Sequence, residues 1–202
     1  MQRAWLAGLT LAGLMAGAGC TKANNAATAS SDTAMASPAA PAAESSAAAP
    51  ASAALSDPQI AMIALSANSG DSARGRLAEQ KATNAEVKAF GKMMVTDHGG
   101  LNKQAVALAK KLNVTPAQSA ADSDLVSKVQ GMTADLQGKT GKDFDKTYVD
   151  QEVQIHQLVL DDLDKTLIPA AQNAELKSLL QTARGGVQAH LQKAQALQAK
   201  LK

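Results

Sequence analysis

Cysteine is nearly absent from this chain, since Cys20 is the only one among 202 residues. One cysteine cannot form an internal disulfide, a Cys-x-x-Cys redox pair or a cysteine-ligated zinc site, so these three classes of protein are excluded. Charge of one sign is also lacking: 20 basic and 18 acidic residues leave a formal charge of +2, with no lysine- or arginine-rich block. Such a chain has no strong attraction for a polyanion, and we expect no nucleic-acid partner.

Sequence motifs of the common enzyme classes are missing as well. The chain contains no GxSxG motif, no P-loop and no HExxH motif, which are the signatures of many hydrolases, nucleotide-binding enzymes and zinc proteases. Its single cysteine lies close to the N-terminus, where we assign it a different role below. The sequence therefore predicts a non-enzymatic protein.

The N-terminus has the pattern of an export signal over residues 1–19. Arg3 precedes a compact apolar run, Ala4 to Ala16, that is too short to span a bilayer stably. The run ends in Gly17-Ala18-Gly19-Cys20, which resembles the bacterial lipobox, where the signal is cut before a cysteine that then carries lipid. Because Gly17 stands where lipoprotein signals usually have leucine, ordinary cleavage after Ala18 is the alternative. We favour lipidation at Cys20.

The predicted location is the periplasm, with the protein anchored in the outer membrane through its N-terminal lipid. Thr21 follows the cysteine, whereas an aspartate at that place is the common signal for retention in the inner membrane. No later stretch of the sequence is both long and uncharged enough to cross a membrane. With ordinary cleavage the protein would instead be soluble in the periplasm or secreted.

Residues 20–56 differ in composition from the rest of the chain. They are mostly Ala, Ser, Thr and Pro, and their charged residues are Lys22, Asp32 and Glu44. A stretch with so few large side chains cannot form a core. We therefore predict a disordered linker that tethers a folded domain at residues 57–202.

Start and stop signals predict five helices within that domain. The starts are marked by Asp57-Pro58 and by two capping boxes, Thr83 to Glu86 and Thr115 to Gln118. The stops are marked by Gly138 to Gly141, which breaks one long segment, and by Pro169 to Asn173. The predicted helices cover residues 58–82, 84–113, 117–137, 142–168 and 173–201. No segment shows sustained strand alternation, so the predicted fold class is all-α.

Apolar residues recur every three or four positions along these helices, as in the seams of a helical bundle. The row on the fourth helix is Val149, Val153, His156, Leu160, Leu163 and Leu167. The row on the last helix is Leu176, Leu180, Ala183, Val187, His190, Ala194, Leu197 and Leu201. Each row includes one histidine, which is therefore predicted to face inward.

The three histidines are the candidate site residues. His156 and His190 occupy the inward rows, and His98 lies beside the apolar stripe of the second helix. A buried imidazole needs a partner for each of its two ring nitrogens. Glu152 lies one helical turn before His156 and is the nearest candidate carboxylate.

Two interpretations of these histidines follow. In the first, the rings form hydrogen bonds with Glu152, Asp97, Asn102 and glutamines of the core. In the second, the three histidines and Glu152 bind one zinc, copper or iron ion, since imidazole suits all three metals. We favour the first interpretation here, because buried histidines with polar neighbours need no ion.

Several short motifs resemble a known family. They are Gly75-Arg76-Leu77-Ala78, Val87-Lys88-Ala89-Phe90, Met94-Val95-Thr96-Asp97-His98, Phe144-Asp145-Lys146-Thr147-Tyr148, His156 and His190-Leu191-Gln192-Lys193-Ala194. In order and spacing over residues 57–200 they are similar to the exported bacterial family known as domain of unknown function 4142. The resemblance implies a ferritin-like four-helix bundle, often found in secreted or lipid-anchored proteins of Gram-negative bacteria, with no settled biochemical activity.

The implied ferritin-like fold bears on the metal interpretation. Di-iron centres in such bundles use a Glu-x-x-His pair on each of two helices and a glutamate from each of the others, and this chain has no Glu-x-x-His pair. The family commonly has two acidic residues just before the Gly75 motif, where this chain has Asp71 and the apolar Ala73. This departure argues against a metal-binding carboxylate from the first helix.

These observations predict an exported, lipid-anchored protein of the cell envelope with a non-enzymatic helical bundle. Stress protection, or the binding of another envelope protein, is the role that we expect for such a domain. The alternative is a periplasmic metal-binding or redox protein that uses the bundle histidines.

Overall fold

Residues 54–201 are described by the computed structural model, and within that range the chain is all-α with no strand. The helices are α1 (Asp57–Lys81), α2 (Ala85–Lys111), α3 (Ala120–Gln137), α4 (Gly141–Asp162), a π-helical turn (Leu163–Leu167), α5 (Ile168–Ala170) and α6 (Ala174–Lys200). The predicted signal, Cys20 and most of the predicted linker lie outside the described residues. None of the helices within residues 54–201 is long and apolar enough to cross a membrane.

Helix starts differ slightly from the predicted ones, because neighbouring polar side chains act as caps. Ser56 rather than Asp57 is the N-cap of α1, and the Asp57 carboxylate instead accepts hydrogen bonds from backbone N–H groups just before α6. Asn84 caps α2 by accepting from two backbone N–H groups of the first turn. Ser119 caps α3, which therefore begins later than the predicted start at residue 117.

The end of the fourth predicted helix also differs from the prediction of one continuous helix over 142–168. Regular α4 geometry stops at Asp162, and the next five residues form the π-helical turn. A short helix then runs from Ile168 to Ala170, with Pro169 in its first turn. Nothing in the apolar spacing distinguishes this wider turn from an α-helix, since Leu163 and Leu167 face inward in both.

The residues of two apolar clusters show in which direction each helix runs. The first apolar cluster consists of Ile60, Ile63, Leu125, Leu160, Leu163, Leu167, Ala171, Leu176, Leu180, Val187 and Leu191. The second apolar cluster consists of Ala78, Ala82, Val87, Phe90, Met94, Leu136, Phe144, Tyr148, Val149, Ala194 and Leu197. The first holds the N-terminal parts of α1 and α6 and the C-terminal part of α4, whereas the second holds the opposite ends. Thus α1 and α6 run in one direction, and α2 and α4 in the other.

Helix α3 connects the two ends of the bundle. Its Leu125 belongs to the first apolar cluster and its Leu136 to the second, so α3 runs antiparallel to α4. The chain therefore reverses direction at the break predicted near Gly138–Gly141. Gly141 has a φ of +57°, a left-handed conformation that glycine adopts without the strain of a Cβ atom.

A layer of polar side chains separates the two apolar clusters. We call it the polar layer; its members are Asn68, Asp71, Arg74, His98, Gln151, Glu152, His156 and His190, all buried. On α1 and α4 these residues lie between the positions that belong to the two clusters. Burying so many polar groups is costly unless they have partners, so this layer is where a function is expected.

Helices α1 and α2 pack unusually closely beside the polar layer, and two glycines allow this. A Cβ atom added to Gly91 would lie 2.7 Å from the Cβ of Ala78 and 2.8 Å from the carbonyl oxygen of Gly75. A Cβ atom added to Gly75 would lie 2.6 Å from the carbonyl oxygen of Gly91. The backbones themselves are in contact here, so neither glycine can gain a side chain without moving a helix.

We expect Gly91→Ala to lower the free energy of unfolding by about 1–3 kcal/mol, the usual cost of overpacking, although alanine favours helix. The matched control is Gly100→Ala on the same helix, where no described atom lies within 4 Å of the added Cβ. There the higher helix propensity of alanine should stabilise the protein by about 0.5–1 kcal/mol. Urea denaturation measures both. If the two substitutions changed stability in the same direction, the close packing would be refuted.

Candidate metal centre

Three histidines from three helices meet in the polar layer. His98 of α2, His156 of α4 and His190 of α6 have ring centroids 5.0–5.6 Å apart. Their exposed fractions are 2%, 1% and 4%, so water hardly reaches them. The inward row on each helix places each ring here, and the close packing of α1 against α2 brings α1 side chains to the same point.

Two of the rings are held by oxygen acceptors on one nitrogen. His98 Nδ1 lies 2.8 Å from Oδ1 of Asn68, whose amide nitrogen donates to the carbonyl of Ala64 and so fixes which end faces the ring. His156 Nδ1 lies 2.9 Å from the backbone carbonyl of Glu152. Both oxygens can only accept a hydrogen bond, so in the neutral rings the proton is on Nδ1 and the lone pair on Nε2.

The third ring is held in the same manner by a carboxylate. His190 Nε2 lies 3.0 Å from Oδ2 of Asp97, a residue of α2 that remains half-exposed. The carboxylate accepts a hydrogen bond from the Nε2–H group, and the neutral ring keeps its lone pair on Nδ1. A histidine whose outer nitrogen donates to a carboxylate or carbonyl is the arrangement that orients histidine ligands in metal sites.

One nitrogen of each ring is left without a hydrogen-bond partner. Among the described residues, these atoms are His98 Nε2, His156 Nε2 and His190 Nδ1. One ring nitrogen of each histidine lies within 4.8 Å of the others. Three buried imidazoles, each with one unpaired nitrogen, therefore lie close together, which is costly unless an electron acceptor lies between them. A water molecule donates only two hydrogens, whereas a divalent cation can accept all three lone pairs.

Two carboxylates adjoin the histidines. Glu152 Oε2 lies 3.4 Å from His156 Nδ1, and Asp71 Oδ2 lies 3.7 Å from His98 Nδ1. One oxygen of each acid, Asp71 Oδ1 and Glu152 Oε2, also has no hydrogen-bond partner within residues 54–201. Asp71, Glu152 and His156 form a second group whose ligand atoms lie within 4.8 Å of one another. The sequence argued against a metal-binding carboxylate from the first helix; the structure places Asp71 of α1 beside His98 and in one group with Glu152 and His156.

Arg74 of α1 balances part of this negative charge and is completely buried. Its Nε donates to Glu152 Oε1 at 3.0 Å and its Nη2 to Gln151 Oε1 at 3.0 Å. A longer bond of 3.4 Å joins Nη1 to Thr133 Oγ1, and the guanidinium lies 5.9 Å from the ring centre of Tyr148. Arg74 thus fixes one oxygen of Glu152 and leaves the other facing His156.

The buried environment keeps His98 and His190 in their neutral, metal-binding form. Burial lowers the pKa of His98 to about 3, and the neighbouring His156 and His190 add to the shift. Burial also lowers the pKa of His190, although the hydrogen bond to Asp97 opposes this. These two rings are therefore neutral at physiological pH, so a metal ion need not displace a proton from them.

The carboxylates respond in the opposite sense. Burial raises the pKa of Asp71, although the neighbouring His156 and Arg74 oppose the shift. Burial also raises the pKa of Glu152, with Arg74 as the main opposing group. Both shifts show that negative charge is costly here and that one guanidinium does not fully neutralise two carboxylates.

All four predicted candidate residues meet in the structure: His98, His156, His190 and Glu152. The predicted hydrogen-bond partners are only partly correct. Asp97 binds His190, but Asn102 donates to Ser69 Oγ at 2.8 Å and not to a histidine.

Sequence reasoning missed Arg74 and Asn68, although a signal for Arg74 existed. The positions 67, 71, 74 and 78 continue the inward spacing of four and three along α1, so that row passes through Asp71 and Arg74. A charged residue at an inward position of a bundle helix is the pattern that would have identified Asp71 and Arg74 as buried polar residues.

Comparison with known proteins identifies a family for this chain. No curated protein and no solved structure matches the chain, so the ferritin-like relationship stays a prediction. The family model described as domain of unknown function (DUF4142) matches residues 40–197, which include the whole polar layer and all three histidines. The chain therefore belongs to the DUF4142 family.

Proposed function

We propose that this domain binds a single transition-metal ion through His98, His156 and His190. The observation that carries the proposal is the close approach of three buried imidazoles, each with one nitrogen that has no hydrogen-bond partner among the described residues. Rings that serve only as core hydrogen-bonding groups would use both nitrogens. Here each ring uses one nitrogen for an orienting bond, and its other nitrogen has no partner among residues 54–201.

The donor set indicates which ions fit. Imidazole nitrogen suits zinc, copper and iron, and an adjoining carboxylate is a common additional ligand for zinc and iron. Asp71 and Glu152 supply such oxygens next to the histidines. A divalent ion would also compensate the charge of two buried acids that share one guanidinium. Bound there, the ion would supply Lewis-acid or redox chemistry, according to the metal.

The direct test is titration of the metal-free, purified protein with Zn²⁺, Cu²⁺ and Co²⁺, followed by elemental analysis. We expect one ion per chain for the wild type and none retained by His156→Leu. The matched control is Leu160→Val, one turn along α4, which alters a buried apolar side chain without removing a ligand. A wild-type protein that binds none of these ions, or a leucine variant that binds as tightly as the wild type, would overturn the proposal.

We further propose that this metal-binding domain is tethered in the cell envelope. Support comes from the sequence, in which an export signal over residues 1–19 leads to Cys20 and an Ala/Ser/Pro-rich linker. Metal capture or stress protection close to the membrane is a role that suits such a tether.

We expect Cys20→Ser to remove the acylation site and so release the protein from the membrane fraction or leave it unprocessed. Labelled palmitate should enter the wild-type chain and not the variant, and fractionation should place only the wild type with the outer membrane. Absence of label from the wild-type chain would replace lipidation with ordinary cleavage after Ala18.

A further inference from the structure

An apolar cavity of about 140 Å³ lies between α1, α2 and α6, at the end of the bundle where α6 begins. Small and aliphatic side chains dominate its walls, among them Ala61, Ala64, Ala105, Leu108, Leu176 and Leu180. Asp57 also borders it, but both oxygens of that carboxylate accept hydrogen bonds from the backbone N–H groups of Gln172 and Asn173. The cavity therefore offers contact area to an apolar molecule and little to a polar one.

A second, smaller cavity continues from the first toward the histidines. Its volume is about 30 Å³, and His98 and Asp71 form part of its wall. The two cavities share four lining residues, Ala64, Asn68, Leu180 and Ala183. These four residues border both cavities, and two of them are alanines; we call the first the outer cavity and the second, next to His98, the inner cavity.

Asn68 lines both cavities, and each of its two polar side-chain atoms already has a partner within the protein. Its amide nitrogen donates to the Ala64 carbonyl at 2.8 Å, and its oxygen accepts from His98 Nδ1 at 2.8 Å. A polar ligand passing this point would have to break the bond that orients His98. An apolar molecule would pass it without that cost.

The π-helical turn lies on the wall of the inner cavity. Leu163 and Leu167, its first and last residues, both line that cavity. A π-helical turn is wider than an α-helical one and occurs often beside functional sites. Here the wider turn faces the space next to His98, which is a second and independent observation pointing to this path.

We infer that the outer cavity binds a small, uncharged, apolar molecule and that the inner cavity is its route to the histidine centre. The volume sets the size class: an apolar protein cavity of about 150 Å³ stays dry and accepts xenon or benzene. Pockets for larger ligands begin near about 300 Å³, so a long acyl chain does not fit. Because the inner cavity has a volume of only about 30 Å³, a molecule that reaches the histidines through it must be of diatomic size. Binding in the outer cavity does not depend on the proposed metal site, whereas the route to the histidines rests on it.

The binding step is tested with xenon and benzene on the metal-free protein, by ¹²⁹Xe NMR and by benzene-dependent thermal shift. We expect saturable binding to the wild type and its loss in Ala64→Leu, whose larger side chain fills the junction of the two cavities. Ala107→Leu is the matched control, since Ala107 is exposed on α2 and lines neither cavity. Binding unchanged by Ala64→Leu, or tight binding of a long-chain fatty acid instead, would overturn this inference.

The route is tested with nitric oxide on the Fe²⁺-loaded protein, by stopped-flow absorbance. We expect Ala64→Leu to slow the formation of the nitrosyl complex by about tenfold, equivalent to about 1.4 kcal/mol on the barrier, and Ala107→Leu to leave the rate unchanged. Equal rates in all three proteins would refute the route even if xenon binds. Failure of the protein to take up iron would refute the route, whereas titration with Zn²⁺, Cu²⁺ and Co²⁺ decides the metal proposal and the xenon result decides the cavity.

Discussion

Arg74→Leu should lower the free energy of unfolding by about 3–5 kcal/mol, the cost of breaking a buried ion pair by removing one partner. The guanidinium is completely buried and satisfies Glu152 Oε1 and Gln151 Oε1 at 3.0 Å each. Without it, two buried carboxylates would adjoin each other with no fixed positive charge. The loss should be visible in urea denaturation of the metal-free protein as a lower midpoint with an unchanged slope.

A neighbouring arginine provides the control for this substitution. Arg76 is exposed, and its guanidinium donates one long bond of 3.3 Å to Ser72 Oγ, so Arg76→Leu should change stability by no more than about 0.5 kcal/mol. The double variant Arg74→Leu/Glu152→Leu should recover part of the loss, because it removes the stranded charge together with its partner. A similar, small effect of both single arginine substitutions would contradict the assigned role of Arg74.

The sequence was sufficient to predict the helices and their inward faces. Four-and-three spacing on α4 and α6 placed Leu160, Leu163 and Leu180 in the core, and all are buried. The same spacing carried His156 and His190 inward, because a helix cannot turn one residue of a row outward without exposing the rest. Site residues on regular helices are therefore predictable as far as their direction is concerned.

What the sequence could not predict are the contacts between helices. His98 could bond to Asn102 one turn away or to Asn68 on another helix, and spacing along one chain favours the local choice. The structure selects Asn68 because the glycine contact between α1 and α2 brings that residue within 2.8 Å of the ring. Without the helix packing, neither the tautomers nor the close approach of the three rings could be derived.

Local competition between caps limited the prediction of helix ends. Asp57 is a good N-cap in isolation, yet its carboxylate is used by the backbone of Gln172 and Asn173, 115 and 116 residues later in the chain. Ser56 then caps α1 in its place. A tertiary contact thus overrides a local preference, and only the fold shows which of two adjacent polar residues is free to cap.

The last expected result concerns thermal stability with and without metal. An ion that binds only the folded state stabilises it by about 2.7 kcal/mol when its free concentration is 100 times the Kd. For a domain of about 150–250 residues each kcal/mol raises Tm by about 2–4 °C. We therefore expect zinc, copper or iron to raise the Tm of the wild type markedly and to leave His156→Leu unmoved.

Without metal, the Tm of His156→Leu should be equal to or higher than that of the wild type. His156→Leu removes a buried ring whose Nε2 has no partner among residues 54–201, and replacing such a group with an apolar one of similar size is close to neutral or stabilising. The control Leu160→Val should have a lower Tm in both conditions, by the cost of a lost methylene, but should keep the full metal-dependent rise. The diagnostic result is thus a crossing: the leucine variant is at least as stable as the wild type in chelator and less stable in metal. If all three metals changed the Tm of the wild type and of His156→Leu by the same amount, the three histidines would lie together for a reason other than metal binding.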